Sequence, residues 1–189
     1  MTPGLVIKEG KRIRLRQLRE DDIARMVAGS FGGEEGARRW YAEEVAKPDG
    51  PPEGMSKQIA VETKQGEWIG FTGFGAKRGG DAGGYFFIAE PFRGRGYGTD
   101  LVHTVLRVMF EDCGAARCLV DYHDWNAVAA HVYEKLGFRE HMRVLIPEDK
   151  REAEDWQFAP DRPVCAIVVE LTREEFERNA DPPREEIDV

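Results

Sequence analysis

The stretch Ile88-Ala-Glu-Pro-Phe-Arg-Gly-Arg-Gly-Tyr-Gly-Thr99 constrains this chain most, because a strand end, a tight glycine turn and a helix start coincide in it. Closely spaced glycines allow a turn in which several backbone amides converge, and the following helix adds its unsatisfied first-turn amides and its dipole. Such a place suits an anion. Arg93 and Arg95 can add charge-assisted bonds to phosphate oxygens. A Walker loop would close on Gly-Lys-Ser/Thr, and no lysine lies between Arg78 and Lys135. The dinucleotide fingerprint fails as well, since Thr99 stands where its third glycine belongs. A phosphate cradle and a plain tight turn both remain open on the glycines alone.

The flanking pattern gives the element order. Ile13-Arg-Leu-Arg-Gln-Leu18 alternates as a half-buried strand, and Glu20, Asp21 and Asp22 suit the start of a helix carrying Ile23, Met26 and Val27. Arg12, Arg14 and Arg16 share the other strand face, which reads as solvated in an acidic protein rather than as a phosphate stripe. A second helix is expected over residues 34–47, ended by Pro48-Asp-Gly-Pro-Pro. Gln58–Thr63, Trp68–Phe74 and Tyr85–Ala89 read as successive antiparallel strands, the last two separated by the glycine-rich turn Lys77–Gly84. Leu101, Val102, Val105, Leu106, Val108 and Met109 recur at helical spacing until Gly114. Arg117–Tyr122 reads as a strand, Ala127–Leu136 as a short helix closed by Gly137, and Val164–Leu171 as the final strand.

A chain of 189 residues, 41% apolar and 33% charged, suits one compact domain with its own core. Residues 1–178 are expected to form it, with residues 179–189 as an acidic tail. The absence of a long apolar run or a basic-then-apolar leader points to a cytoplasmic protein with no membrane partner. A formal charge of −8 argues against nucleic acid as a partner and suits a cationic substrate. Cys113, Cys118 and Cys165 lack Cys-x-x-Cys spacing and read as reduced structural thiols, with no metal site.

Two spaced motifs carry a resemblance. Arg93-Gly94-Arg95-Gly96-Tyr97-Gly98 resembles the Arg/Gln-x-x-Gly-x-Gly/Ala loop of the GNAT N-acetyltransferase superfamily, and Asn126-Ala-Val-Ala-Ala-His-Val-Tyr-Glu-Lys-Leu-Gly-Phe138 resembles its Asn-x-x-Ala-x-x-x-Tyr-x-x-x-Gly-Phe. The resemblance implies an α/β (α+β) three-layer fold, with a mixed central sheet flanked by helices and splayed at its fourth and fifth strands. It also implies acetyl-coenzyme A as co-substrate and no metal. By position, the backbone of Phe87, Ile88 and Ala89 would line the pantetheine arm, which Asn126 would also contact. Arg93 and the loop Gly94, Arg95, Gly96, Tyr97, Gly98 and Thr99 would hold the pyrophosphate.

In the family's reaction a neutral amine attacks the thioester carbonyl directly and the thiolate leaves. Tyr133 matches the tyrosine that protonates the departing sulfur, against a simpler reading as packing on an amphipathic helix. Glu90 and Asp121 are the candidate bases, with ordered water as the alternative. Asp121 resembles in position an aspartate of some aminoglycoside 6'-N-acetyltransferases, but Tyr122 replaces the proline that follows it there. His123 would share the face of Asp121 if the strand ran that far, and reads first as a loop or packed histidine; His103, His131 and His141 read as structural. The partner is then an amine-bearing acceptor, either a cationic small molecule or a peptide N-terminus. Glu34, Glu35, Glu43 and Glu44 could join Glu90 and Asp121 in an acidic rim. Tyr85–Gly94 and Glu170–Glu175 look most like the ribosomal-protein N-terminal acetyltransferase branch. The alternative class is a non-catalytic acyl-coenzyme A sensor, and a homodimer stays open.

Overall fold

The computed structural model describes residues 6–26, 35, 38, 42 and 57–180, so most of the expected second helix and the acidic tail lie outside the described residues. The chain forms two compact units, Met1–Ala115 and Ala116–Val189.

In the first unit, β1 (Val6–Glu9), β2 (Ile13–Gln17), β3 (Lys57–Thr63), β4 (Trp68–Ala76) and β5 (Asp81–Ile88) pair antiparallel in sequence order. A turn at Glu20–Asp22 leads into α1 (Ile23–Met26), and α2 (Tyr97–Arg107) packs against β2 and β5. The helical spacing seen in the sequence is the buried face of α2 and of the turn that continues it: Leu101, Val105 and Leu106, then Met109, are fully buried. Burying each such side chain contributes about 1.5–3 kcal/mol. Past Arg107 the helix widens into a π-turn, Val108–Asp112, where the Cys113 amide bonds the Val108 carbonyl; Gly114 then ends it at φ 74°.

Two expectations are corrected here. The strand β5 starts at Asp81 and not at Tyr85, because Gly83 and Gly84 are paired ladder residues opposite Gly75 and Phe74. A Cβ on Gly84 would stand 2.4 Å from the Gly73 carbonyl oxygen, so this glycine serves close strand approach rather than a turn. The turn is confined to the residues before Asp81, where the Lys77 amide bonds the Asp81 carbonyl at 3.0 Å.

The arginine face of β2 is not solvated as a whole either. Leu18, Met26, Ala60, Trp68 and Phe71 form a buried cluster, and Arg16, also buried, is paired across the ladder with Ala60 of that cluster. Its guanidinium grips both oxygens of Asp22 at 2.6 and 2.8 Å and donates Nε to Glu62 at 2.7 Å. The bonds to Asp22 lead in raising its pKa, against desolvation, with Glu62 adding to them. A cation that would be costly alone is matched by two buried carboxylates.

In the second unit, β8 (Cys165–Thr172) pairs antiparallel with both β6 (Arg117–His123) and β7 (Arg139–Leu145). Three helices complete it: α3 (Ala127–Lys135), α4 (Ala153–Phe158) and α5 (Arg173–Ala180). Cys118, Val120, Ile167, Val169, Leu171, Val164 and Phe176 are buried. The elements β7, α4 and α5 were not visible in the sequence pattern. All seven residues of β7 are exposed, so it carries no alternation, and it is fastened partly by Arg139 and His141 on the buried Glu170 of β8.

All three cysteines are free, and burial pushes the Cys118 thiol up to about 12. Among the described residues no helix is long and apolar enough to cross a membrane, and no group of three or more His, Cys, Asp or Glu could hold a metal ion.

Candidate active site

In the first unit, the expected cofactor residues form a continuous path from strand to helix. Phe87 packs its ring 4.8 Å from Phe71, and Ala89 donates its amide to the Ile69 carbonyl at 2.9 Å. The chain then makes a short turn at Glu90–Phe92, with the Arg93 amide on the Glu90 carbonyl. Gly94 and Gly96 both take the left-handed conformation, φ 71° and 81°, which glycine adopts without the Cβ penalty of other residues. Gly96 is the N-cap of α2 and has no side chain to satisfy the amides of the first turn, which include those of Tyr97, Gly98 and Thr99. The result is a helix start whose amide donors are open to an external acceptor.

Cationic side chains surround this turn. Arg93 donates Nε to the Ile88 carbonyl at 2.9 Å and lies over the Phe87 ring; Arg95 lies over Phe92. The third is Arg12, which the sequence pattern assigns to a solvated face. The Arg12 guanidinium donates to the Arg95 carbonyl and sits 5.0 Å from the centre of the Tyr97 ring. It is held there by Asp100, whose carboxylate accepts from the amides of Lys11, Arg12 and Ile13 at 3.0, 2.6 and 3.2 Å. An acidic residue in the first turn of a helix after glycines is a readable signal, but its partners lie too far away in sequence to be guessed. Glu90 is exposed at the head of the turn.

In the second unit, Tyr133 of α3 is buried between aromatic neighbours, 5.8 Å from Tyr122 and 5.2 Å from Phe138 between ring centres. Burial first, then Cys118, Asp121 and Tyr122, raises its pKa, so the phenol is protonated throughout the neutral range. Asn126 caps α3: its side-chain oxygen accepts from the Ala129 amide at 3.1 Å. Asp121 is exposed on β6.

The strand β6 does run to His123, which puts His123 on the face of Asp121. Its Nδ1 is 2.6 Å from Oδ1 of Asp155, a fully buried carboxylate on α4 that also accepts from Trp125 Nε1 at 2.7 Å and from the Glu152 amide at 2.9 Å. Burial pushes the Asp155 pKa up, but the Trp125, Glu152 and His123 hydrogen bonds outweigh it and hold the carboxyl below its ordinary range. Trp125 is in turn stacked on Phe158, 4.7 Å away. The sequence offered no cue to this cluster, because α4 has no apolar periodicity and Asp155 lies 32 residues from His123. Of the acidic rim, Glu35 is exposed, while Glu34, Glu43 and Glu44 lie outside the described residues.

The sequence profile of the acetyltransferase (GNAT) domain matches residues 12–139. This chain belongs to the GNAT acetyltransferase family. As a GNAT member it is an acyltransferase, and acetyl transfer to amines is the activity this membership supports. The chain is similar to the SPbeta prophage-derived uncharacterized N-acetyltransferase YokL of Bacillus subtilis (strain 168), with 27% identity over 145 residues covering 75% of this chain and 72% of that protein. Solved structures share the GNAT fold. The spermidine N-acetyltransferase of Vibrio cholerae in complex with CoA and spermine has a TM-score of 0.71 at 15% identity, covering 87% of this chain and 98% of that one. A GNAT-family acetyltransferase from Bacillus anthracis has a TM-score of 0.66 at 15% identity, covering 89% and 99%. The expected α+β GNAT fold, a sheet flanked by helices, agrees with these likenesses.

Proposed function

We propose that this GNAT enzyme transfers an acetyl group from acetyl-coenzyme A to a primary amine of a small cationic acceptor, by direct attack in a ternary complex. The observation that carries the cofactor half is the pair of left-handed glycines feeding a helix start with no side-chain cap, flanked by Arg93, Arg95 and Arg12. The amides from Gly94 to Thr99, with Arg93, hold the pyrophosphate; the backbone of Phe87, Ile88 and Ala89 lines the pantetheine arm, which Asn126 contacts through the part of its side chain not used in capping. The family match, residues 12–139, extends from the first compact unit into the second, which supports reading those residues as parts of one catalytic domain, whose expected bounds are residues 1–178.

The chemical half rests on Tyr133, a phenol kept protonated by burial and so able to give a proton to the departing thiolate. Glu90 and Asp121 are exposed carboxylates that attract a cationic amine and are candidate proton acceptors. A polyamine is favoured over a ribosomal-protein N-terminus, since the Vibrio cholerae structure holds spermine. The test is coenzyme A release, followed with a thiol reporter, on a panel of spermidine, spermine, aminoglycosides and short peptides. Release with a polyamine at a rate above that with peptides is expected; release with peptides alone would return the acceptor to the N-terminal branch, and none with any amine would reject the transferase reading of the site.

A further inference from the structure

We infer that His123 is the base that takes the proton from the acceptor amine, with Asp155 as the residue that positions it; this rests on the transfer reading above. The geometry carries the inference. Asp155 is fully buried, and its oxygens are committed: Oδ1 accepts from His123 Nδ1 and Trp125 Nε1, Oδ2 from the Glu152 amide. An ionised carboxylate has no hydrogen to give, so Nδ1 carries the ring proton and Nε2 keeps the lone pair. That is the tautomer a base needs.

The ring is also fixed in place. Trp125 meets it edge-on at 5.9 Å and is itself stacked on Phe158, while the His123 carbonyl accepts the Asn126 amide at 2.7 Å and the Asp124 amide is tied to the Cys165 carbonyl at 2.9 Å. The His123 side chain keeps 21% of its surface exposed, whereas Asp155 keeps none. A buried acid holding a partly exposed imidazole at a strand end, three residues before the Asn126 motif and on the Asp121 face, is more than packing requires. Packing alone is served by an apolar pair, and a buried carboxylate adds a desolvation cost.

An imidazole is ordinarily a stronger base than a carboxylate by about two pK units, which shortens the uphill step of deprotonating an ammonium. The ammonium gives one proton to Nε2, while Nδ1 keeps its bond to Asp155. The neutral nitrogen bonds to the thioester carbonyl carbon and the C–S bond breaks with its electron pair on sulfur. Sulfur takes the Tyr133 proton, the new amide nitrogen returns one to Tyr133, and His123 releases its own to solvent.

The charged and titratable groups around His123 include Asp155 on α4, Arg151 just before that helix, Asp121, Tyr122 and Asp124 on its own segment, Arg162 ahead of β8, Cys165 at the start of that strand, and Arg143 on β7, whose charge acts on Asp124 and Cys165. Arg162 is paired with Asp124 at 2.9 Å, and Arg151 donates to the Asp155 backbone carbonyl at 3.0 Å.

The experiment measures acetyl transfer to spermidine by wild type, His123→Ala, His123→Gln and Asp155→Asn from pH 6.5 to 9.5, with and without added imidazole, and the acetyl-coenzyme A-induced rise in melting temperature of each. Loss of a base gives a fall in turnover of about 100- to 10,000-fold at pH 7 in His123→Ala. The deficit is expected to shrink as pH approaches the amine pKa, and added imidazole is expected to restore part of the rate. His123→Gln, which can still donate to Asp155, keeps the fold if the alanine variant does not, and should show the same pH-dependent deficit. Asp155→Asn is expected to lower kcat while leaving KM for acetyl-coenzyme A unchanged. A deficit in His123→Gln that is constant with pH, or absent, overturns the inference while leaving the transferase reading intact. A wild-type protein that binds acetyl-coenzyme A but acetylates no amine overturns both.

Discussion

The glycine turn of the first unit and the His123 cluster of the second are made of different material. The turn works through backbone amides, and what it needs from the sequence is conformational: glycine at φ 71° and 81° and no competing cap at Gly96. Those requirements are local, and they leave a dense signature within six residues, Arg93 to Gly98. The second cluster works through side chains from β6, the loop after it and α4, joined by hydrogen bonds of 2.6 and 2.7 Å. Each member alone is an ordinary residue in an ordinary place. A backbone turn is therefore legible in one sequence, and a side-chain cluster becomes legible only when the fold brings its members together.

The largest test of this contrast is Gly96→Val. A β-branched residue is strained at φ 81°, and its Cβ would meet the Arg12 guanidinium at 3.1 Å. The rise in melting temperature caused by acetyl-coenzyme A, worth about 2.7 kcal/mol at a hundredfold excess over Kd, is expected to vanish. Should a folded Gly96→Val protein keep the full rise, the turn does not hold the cofactor.

Asp22→Ala comes next and probes stability rather than ligand. It leaves buried Arg16 with Glu62 as its carboxylate partner beside the Gln17 carbonyl, and a loss of about 3 kcal/mol in urea unfolding is expected. A loss below 1 kcal/mol would mean that water reaches Arg16 and that the face is closer to the solvated one expected from its pattern.

Tyr133→Phe removes one hydroxyl and keeps the ring between Tyr122 and Phe138. Turnover is expected to fall by about ten- to a thousandfold with the acetyl-coenzyme A melting shift unchanged. Equal rates in single-turnover measurements would reduce Tyr133 to core packing.

The smallest effect concerns acid. The folded pKa of Asp155 lies below its unfolded value near about 3.9, so its stabilisation is fully present above that pH and drains away as pH falls through the folded pKa. Between pH 6 and pH 3 the urea midpoint of wild type should therefore fall more than that of Asp155→Asn. Parallel losses in the two proteins would show that the carboxylate's bonds do not favour its ionised form.

The same contrast explains what could be read in advance. The alternating run Ile13–Leu18 and the helical spacing Leu101–Met109 were legible because one face of each element is buried against a core. β7 was not, since both of its faces meet solvent. Arg16 was misread because alternation marks only that two faces differ, not that the second is wet; its counter-ions come from a turn six residues on and a strand 46 residues on. Glycine marks close backbone approach and reversal alike, so at Gly83 and Gly84 the pattern does not separate a ladder from a turn. Among the candidate site residues, the turn and Tyr133 stood out by motif, whereas Asp155 and Arg12 needed three-dimensional neighbours to acquire a role.

The Asp100 carboxylate spans 88 residues of chain to reach the Arg12 amide. On a ribosome that adds about 5–20 residues per second, the amino-terminal hairpin emerges roughly 5–20 seconds before the residue that anchors it. Through that interval the loop Lys11–Ile13 lacks its acceptor, and Arg12 has no turn to lean on. The contact between the hairpin and the glycine turn is thus a late product of synthesis, and a pause placed before codon 100 would lengthen the time in which the hairpin waits unfastened.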